Sequence, residues 1–170
     1  MRYEQAMNEA LQLARQAAGD GDVPVGALVL DADGRMLGCG RNRREAEGDP
    51  LAHAEIEAMR QAADAANGLG GNALFGEISS RATPWNLAGC TLVVTLEPCP
   101  MCAGAALQTH VDRIVFGAWD AKLGACGSVW DIARDPHIGP QPEIIGGVEE
   151  EACAALLRDF FRARREASRT

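Results

Sequence analysis

At 170 residues the chain is read as a single domain spanning residues 1–170, long enough to bury a substantial core. Its 47% hydrophobic and 24% charged content is ordinary for a globular protein, and no apolar run approaches the roughly 18 residues of a membrane span. Acidic residues outnumber basic ones by 24 to 16, and the net charge of −8 argues against broad, sequence-blind binding to nucleic acid, DNA included, which usually needs a basic face.

The first residues, Met1-Arg2-Tyr3-Glu4-Gln5-Ala6-Met7, lack the apolar core of a signal peptide, so the expected compartment is the cytoplasm. In that setting the closely spaced Cys99 and Cys102 point to metal or redox chemistry rather than to a disulfide framework. Cys39, Cys90, Cys126 and Cys153 stand in apolar or glycine-rich surroundings and are read as small buried hydrophobes. Positive charge comes almost entirely from arginine, Lys122 being the sole lysine, and arginine suits bidentate contacts to phosphate.

Along the chain, Ala6, Met7, Ala10, Leu11, Leu13 and Ala14 recur at helical spacing and predict an amphipathic helix over 3–17. Gly19-Asp20-Gly21-Asp22 ends it. Val23 to Leu30 reads as a buried strand with its proline at the start or edge, Asp31-Ala32-Asp33-Gly34 as a hairpin turn, and Met36 to Arg41 as the returning strand. A polar loop through Gly48-Asp49-Pro50 precedes a helix expected over 52–66, which places His53 and Glu55 in its first turn. Residues 67–89, rich in glycine and without sustained period, read as an inserted surface loop. Thr91 to Leu96 is β-branched and apolar throughout, the clearest central strand, and it runs directly into the cysteines. Pro100 suits the first turn of a helix reaching about Thr109. Arg113 to Gly117 and Glu143 to Ile145 make the fourth and fifth strands, with a glycine-rich loop over 120–128. A last helix over 148–166 opens on Glu149-Glu150-Glu151 and closes on Arg158, Arg162, Arg164 and Arg165, charges that complement its dipole. Strands alternating with helices imply an α/β layered sheet.

The chemistry concentrates in His53-Ala54-Glu55 and Glu97-Pro98-Cys99-Pro100-Met101-Cys102. His53, Cys99 and Cys102 make three zinc ligands, the arithmetic of a catalytic site that keeps its fourth position for water. The other two histidines offer no convincing fourth ligand: His110 ends the helix that begins at the cysteines, and His137 lies in a Pro/Gly-rich loop. Glu55 is left over as a carboxylate able to accept a proton from water and return it to a leaving group. The pattern H-x-E followed by P-C-x-x-C is that of zinc-dependent base deaminases.

Longer stretches narrow the field. Val23-Pro24-Val25-Gly26-Ala27, Thr95 through Ala105, Phe116 through Ser128, Glu151 through Leu157 and Phe160 through Arg165 together resemble the bacterial tRNA-specific adenosine deaminases, within the cytidine deaminase-like superfamily. That resemblance implies a three-layer α/β/α fold with a mixed sheet of about five strands, and one Zn2+ per subunit of a homodimer. It implies conversion of adenosine to inosine at the wobble position of an arginine tRNA with an ACG anticodon, the anticodon stem-loop contacting both subunits. His53, Cys99 and Cys102 match the family's zinc ligands and Glu55 its proton shuttle. Asn42 matches the asparagine that binds the extruded base, Asp120 and Lys122 a loop near the RNA backbone, and Arg162, Arg164 and Arg165 a helix flanking the RNA. The chain departs from the family pattern in the length of the 67–89 insertion, in a charged position occupied by Trp119, and near Ile138 to Glu143, where an Asn-His-Arg run is absent. Two other readings stand beside this one: a deaminase of a free base such as guanine or cytosine, and a non-catalytic, zinc-stabilised RNA-binding protein.

Overall fold

A computed structural model describes residues 1–66, 85–139 and 141–168. Five strands form one mixed sheet in the order β2-β1-β3-β4-β5. The hairpin of β1 (Gly26–Leu30) and β2 (Met36–Arg41) is antiparallel, with Gly26 opposite Arg41. Its turn is closed by the Asp31 carboxylate, which accepts the N–H groups of Asp33 and Arg35, and by Gly34 at φ 76°. β1 also pairs antiparallel with β3 (Thr91–Leu96), and from there β3, β4 (Arg113–Ala118) and β5 (Glu143–Ile145) run parallel.

Two apolar layers sandwich the sheet. On one face α1 (Tyr3–Gly19) and α5 (Glu150–Ala167) pack over Leu28, Leu30, Val93 and Val115. On the other, α3 (Ala54–Ala66) and α4 (Pro100–Gln108) pack over Ala27, Val29, Leu92, Val94 and Ile114. Alternate residues of each central strand thus serve opposite cores, which is why β1 and most of β3 are buried along their length. The expected three-layer α/β/α architecture is the one observed. α1 buries Ala6, Met7, Ala10, Leu11, Ala14 and Ala17, a single stripe at helical spacing.

The differences from the sequence expectation are local. β1 starts at Gly26, not Val23, because Val23 and Val25 bond to each other (2.8 Å) and to Asn42 instead of to a neighbouring strand. α3 starts at Ala54, so His53 stands immediately before the helix and Glu55 within its first turn. The polar stretch after β2 contains a one-turn helix, α2 (Arg44–Glu47), and a 3-10 turn spans Ile132–Arg134. Most of the inserted loop, 67–84, lies outside the described residues; at its end Leu87 is fully buried and its N–H donates to the Thr109 carbonyl at 2.7 Å. All six cysteines are free thiols, with Cys90, Cys126 and Cys153 buried and Cys39 half-buried.

Candidate metal centre and active-site cleft

The register of the sheet brings several chain ends to one edge. Arg41 pairs with Gly26 at the end of β2, and Leu96 with Ala118 at the ends of β3 and β4. The segments leaving these strands build the site: Asn42 after β2, Glu97 to Cys102 after β3, and Asp120 after β4.

His53 and Cys99 are placed by the same device. Each precedes a helix and its carbonyl accepts the first helical hydrogen bond, from Glu57 N–H (3.0 Å) and Ala103 N–H (2.9 Å). Cys102 lies in the first turn of α4, which Pro100 opens at the position where a missing N–H costs nothing. The His53 Nδ1 is 3.8 Å from the Cys99 Sγ and 3.4 Å from the Cys102 Sγ. All three ligand atoms lie within 4.8 Å of one another. Tetrahedral zinc bonds of about 2.0–2.1 Å to nitrogen and about 2.3 Å to sulfur require such N···S separations to be roughly 3.6 Å, so the donor set fits that ion in both chemistry and spacing. No fourth Cys, His or carboxylate among the described residues joins the group. His110 instead packs edge-on against Trp85, and His137 bonds to Asp135.

The electrostatics follow from crowding. The Cys99 thiol is held down at about 4 by the hydrogen bond from Cys102 and further by His53. Cys102 is pushed upward by that same bond and by burial, so Cys99 carries the thiolate. The bond to Cys99 raises His53 against the opposing effect of burial. Glu55, only 4% exposed, is raised chiefly by desolvation.

A cleft of about 160 Å³ opens beside these residues, with His53, Glu55 and Cys99 at its base. Asn42 lines it, 7% exposed, its amide oriented from both ends: Nδ2 donates to the Val23 carbonyl (3.1 Å) and Oδ1 accepts the Arg44 N–H (3.4 Å). Asp120, Leu123, Val23 and Val25 line it too, as does Glu97. Of the residues the sequence singled out, Asn42, His53, Glu55, Cys99 and Asp120 therefore meet at one cleft, with Cys102 beneath it. Lys122 does not line it, though its backbone N–H donates to the Asp120 carboxylate at 2.9 Å. Arg162, Arg164 and Arg165 stand apart on α5: Arg162 pairs with Asp159 (2.8 Å), Arg164 lies over the Phe160 ring, and Arg164 and Arg165 border a separate depression with Phe161 and Ser168.

Two buried carboxylates escaped the sequence reading. Asp22 is fully buried and accepts the N–H groups of Glu45 (2.8 Å) and Ala46 (3.1 Å), holding the start of α2 and with it the segment that carries Asn42. Glu97, 2% exposed, accepts three backbone N–H groups from the loop after β4. An acid at the end of an apolar strand was a signal for Glu97; nothing distinguished Asp22 from an ordinary turn aspartate.

The family described as the cytidine and deoxycytidylate deaminase zinc-binding region matches residues 1–118, and the MafB19-like deaminase family matches residues 77–165. The tRNA-specific adenosine deaminase of Bacillus subtilis is 39% identical over 94% of this chain and 89% of its own length. The chain belongs to the tRNA-specific adenosine deaminase family. A solved structure from work on A-to-I editing by tRNA:A34 deaminases at the wobble position superposes with a TM-score of 0.77 at 33% identity, covering 90% of this chain and 99% of that one. A tRNA(Ile)-lysidine synthase of Deinococcus radiodurans is 50% identical over 92% of this chain, which spans only 24% of that relative's length. In this member of the adenosine deaminase family, Asn42, His53, Glu55, Cys99 and Cys102 all fall inside the matched zinc-binding region, whereas the 120–128 loop and α5 lie beyond it.

Proposed function

We propose that the chain hydrolyses adenosine to inosine at the wobble position of a tRNA anticodon, that of arginine tRNA with the sequence ACG, using one zinc ion per subunit of a homodimer. The observation that carries this reading is the convergence of His53, Cys99, Cys102 and the buried Glu55 on one small cleft. At about 160 Å³ the cleft is smaller than the roughly 300–1,000 Å³ of pockets for drug-sized ligands, a scale suited to one heterocyclic base extruded from a loop. The substrate class is supported by what the relatives act on, and the dimer by four exposed apolar side chains, Trp119, Leu123, Val129 and Trp130, along one segment.

His53, Cys99 and Cys102 would hold the zinc, which when bound supplies a Lewis acid and makes water nucleophilic near neutral pH. Glu55 accepts the proton of the attacking water and hands it to the departing amine, so that a C–O bond forms at the ring carbon, the C–N bond breaks and ammonia leaves. Asn42, its amide already oriented by Val23 and Arg44, hydrogen-bonds the base and aims the ring at that water. Val23, Val25 and Leu123 keep other water from the ring.

The test is inosine formation by a zinc-loaded preparation offered an ACG anticodon stem-loop beside free adenosine, cytidine and guanine. Inosine at the wobble adenosine alone supports the RNA-editing reading. Turnover of a free base with silence on RNA replaces it with a base deaminase, and no turnover of any substrate with zinc bound leaves the RNA-binding reading. Sedimentation of the same preparation reports the dimer.

A further inference from the structure

We propose that Glu97 is the positioning residue of the substrate-side wall: its buried carboxylate gathers the loop over 120–128 and thereby sets where Asp120 and Leu123 meet the substrate. The proposal rests on the deaminase reading above for the identity of that substrate. Removing a carboxylate from water is costly unless every oxygen finds a donor. Here the Asp120 N–H donates to Oε2 (3.0 Å), and the N–H groups of Cys126 (3.0 Å) and Ser128 (3.1 Å) donate to Oε1. One side chain is thus bonded to the start, the middle and the end of a single loop.

The rest of the loop is folded around that carboxylate. The Ser128 Oγ donates to the Asp120 carbonyl at 2.8 Å, and the Gly124 N–H donates to the same carbonyl at 3.0 Å. The N–H groups of Val129 and Trp130 return to the Gly124 carbonyl. A Cβ on Gly124 would overlap both the Glu97 Oε2 and the Ser128 Oγ, so the backbone passes the carboxylate at a distance that only glycine permits. At its other end Glu97 is anchored to the sheet, its own N–H donating to the Ala118 carbonyl (2.8 Å). The Pro98 carbonyl accepts the Ala125 N–H at 2.8 Å, and Cys99 comes next in the chain. Glu97 therefore ties the loop to the same strand end that presents the metal ligands, yet belongs to neither the ligand set nor the proton path. A wall tied in this way stays in register with the reacting centre.

Glu97→Gln isolates the role. The amide is nearly isosteric and retains one acceptor oxygen, but its NH2 faces an N–H donor on one side of the site. With wild-type and variant protein on the ACG stem-loop, the variant is expected to bind zinc to the wild-type level. Its KM should rise about tenfold, the scale of one donor left facing a donor, with kcat changed less than threefold. Amide exchange should quicken at Asp120, Cys126 and Ser128 while the sheet amides stay protected. Ser128→Ala, an exposed change that removes only the Oγ bond to Asp120, should shift KM in the same direction by a smaller factor and serves where Glu97→Gln fails to fold. An unchanged KM with a still-protected loop overturns the proposal, as does loss of zinc with a collapse of kcat, which would place Glu97 behind Cys99 instead. Wild-type inactivity on RNA defeats the substrate reading alone, because loop exchange still reports whether Glu97 holds the wall.

Discussion

Glu55 and Glu97 are both buried carboxylates, 4% and 2% exposed, and the difference between their surroundings underlies the different parts proposed for them. Glu97 has its oxygens occupied by three backbone donors and is a fixed acceptor within the fold. Both line the cleft, but Glu55 stands beside His53 and Cys99 and burial raises its proton affinity, as the proton-shuttle role proposed for it requires. Glu55→Gln keeps the shape and removes the base, so kcat on the stem-loop should fall about a thousandfold with zinc retained, measured by metal content and single-turnover inosine yield. Loss of zinc in that variant would move Glu55 into the ligand set. At this scale the sequence was legible where chemistry is written in short spacing: H-x-E and C-x-x-C announce a nitrogen, two sulfurs and a spare acid. Asp22 was not legible, and Glu97 was signalled only by its place at the end of an apolar strand, because their partners are backbone N–H groups distant in sequence, which carry no residue identity to read.

Among the elements, what brings α3 to the sheet is the absence of side chains on β2. A Cβ on Gly38 would overlap the Ala58 carbonyl and sit 2.6 Å from the Ala62 N, and one on Gly40 would overlap the Ala54 carbonyl and sit 2.7 Å from the Ala58 N. The helix backbone thus rests on the strand through alternate glycines of β2 and alanines of α3, and His53 inherits its position from that contact. Gly40→Ala should therefore destabilise the fold by about 1–3 kcal/mol, as overpacking does, and shift the N-terminus of α3 enough to lower zinc affinity as well. Gly104→Ala, on α4 with open space beside it, is the control expected to leave zinc affinity unchanged and to raise stability by up to about 1 kcal/mol, as alanine for a helical glycine does. Denaturant melts and a zinc competition titration read the two effects separately. The long periodic α1 and the mostly apolar, β-branched β3 were predicted within a residue or two, and the short β5 was placed as well. The one-turn helix at Arg44–Glu47 and the 3-10 turn at Ile132–Arg134 were missed because three or four residues hold no period; α2 exists because Asp22, from a different part of the chain, satisfies its first N–H groups.

Over the whole molecule, an acidic protein with a net charge of −8 would meet the RNA proposed as its substrate through local rather than global charge. One concentration of cations is the C-terminal half of α5, where Arg158, Arg162, Arg164 and Arg165 fall within about two turns. Arg158 and Arg162 are engaged by Glu151 and Asp159. Arg164 and Arg165 border the depression with Phe161 and Ser168 and carry no ion pair among the described residues, so on the proposed RNA reading this pair is available to phosphate. The double change Arg164→Gln, Arg165→Gln should weaken stem-loop binding to a similar degree whatever the loop sequence. It should also flatten the dependence of log affinity on log salt by about 0.7 for each single-strand phosphate that α5 no longer neutralises. Since these arginines stand outside the cleft, kcat at saturating RNA should not change. Binding measured over a salt series distinguishes this from the alternative that the two arginines only complement the negative end of the helix dipole, in which case the salt slope stays put and the melting temperature falls instead.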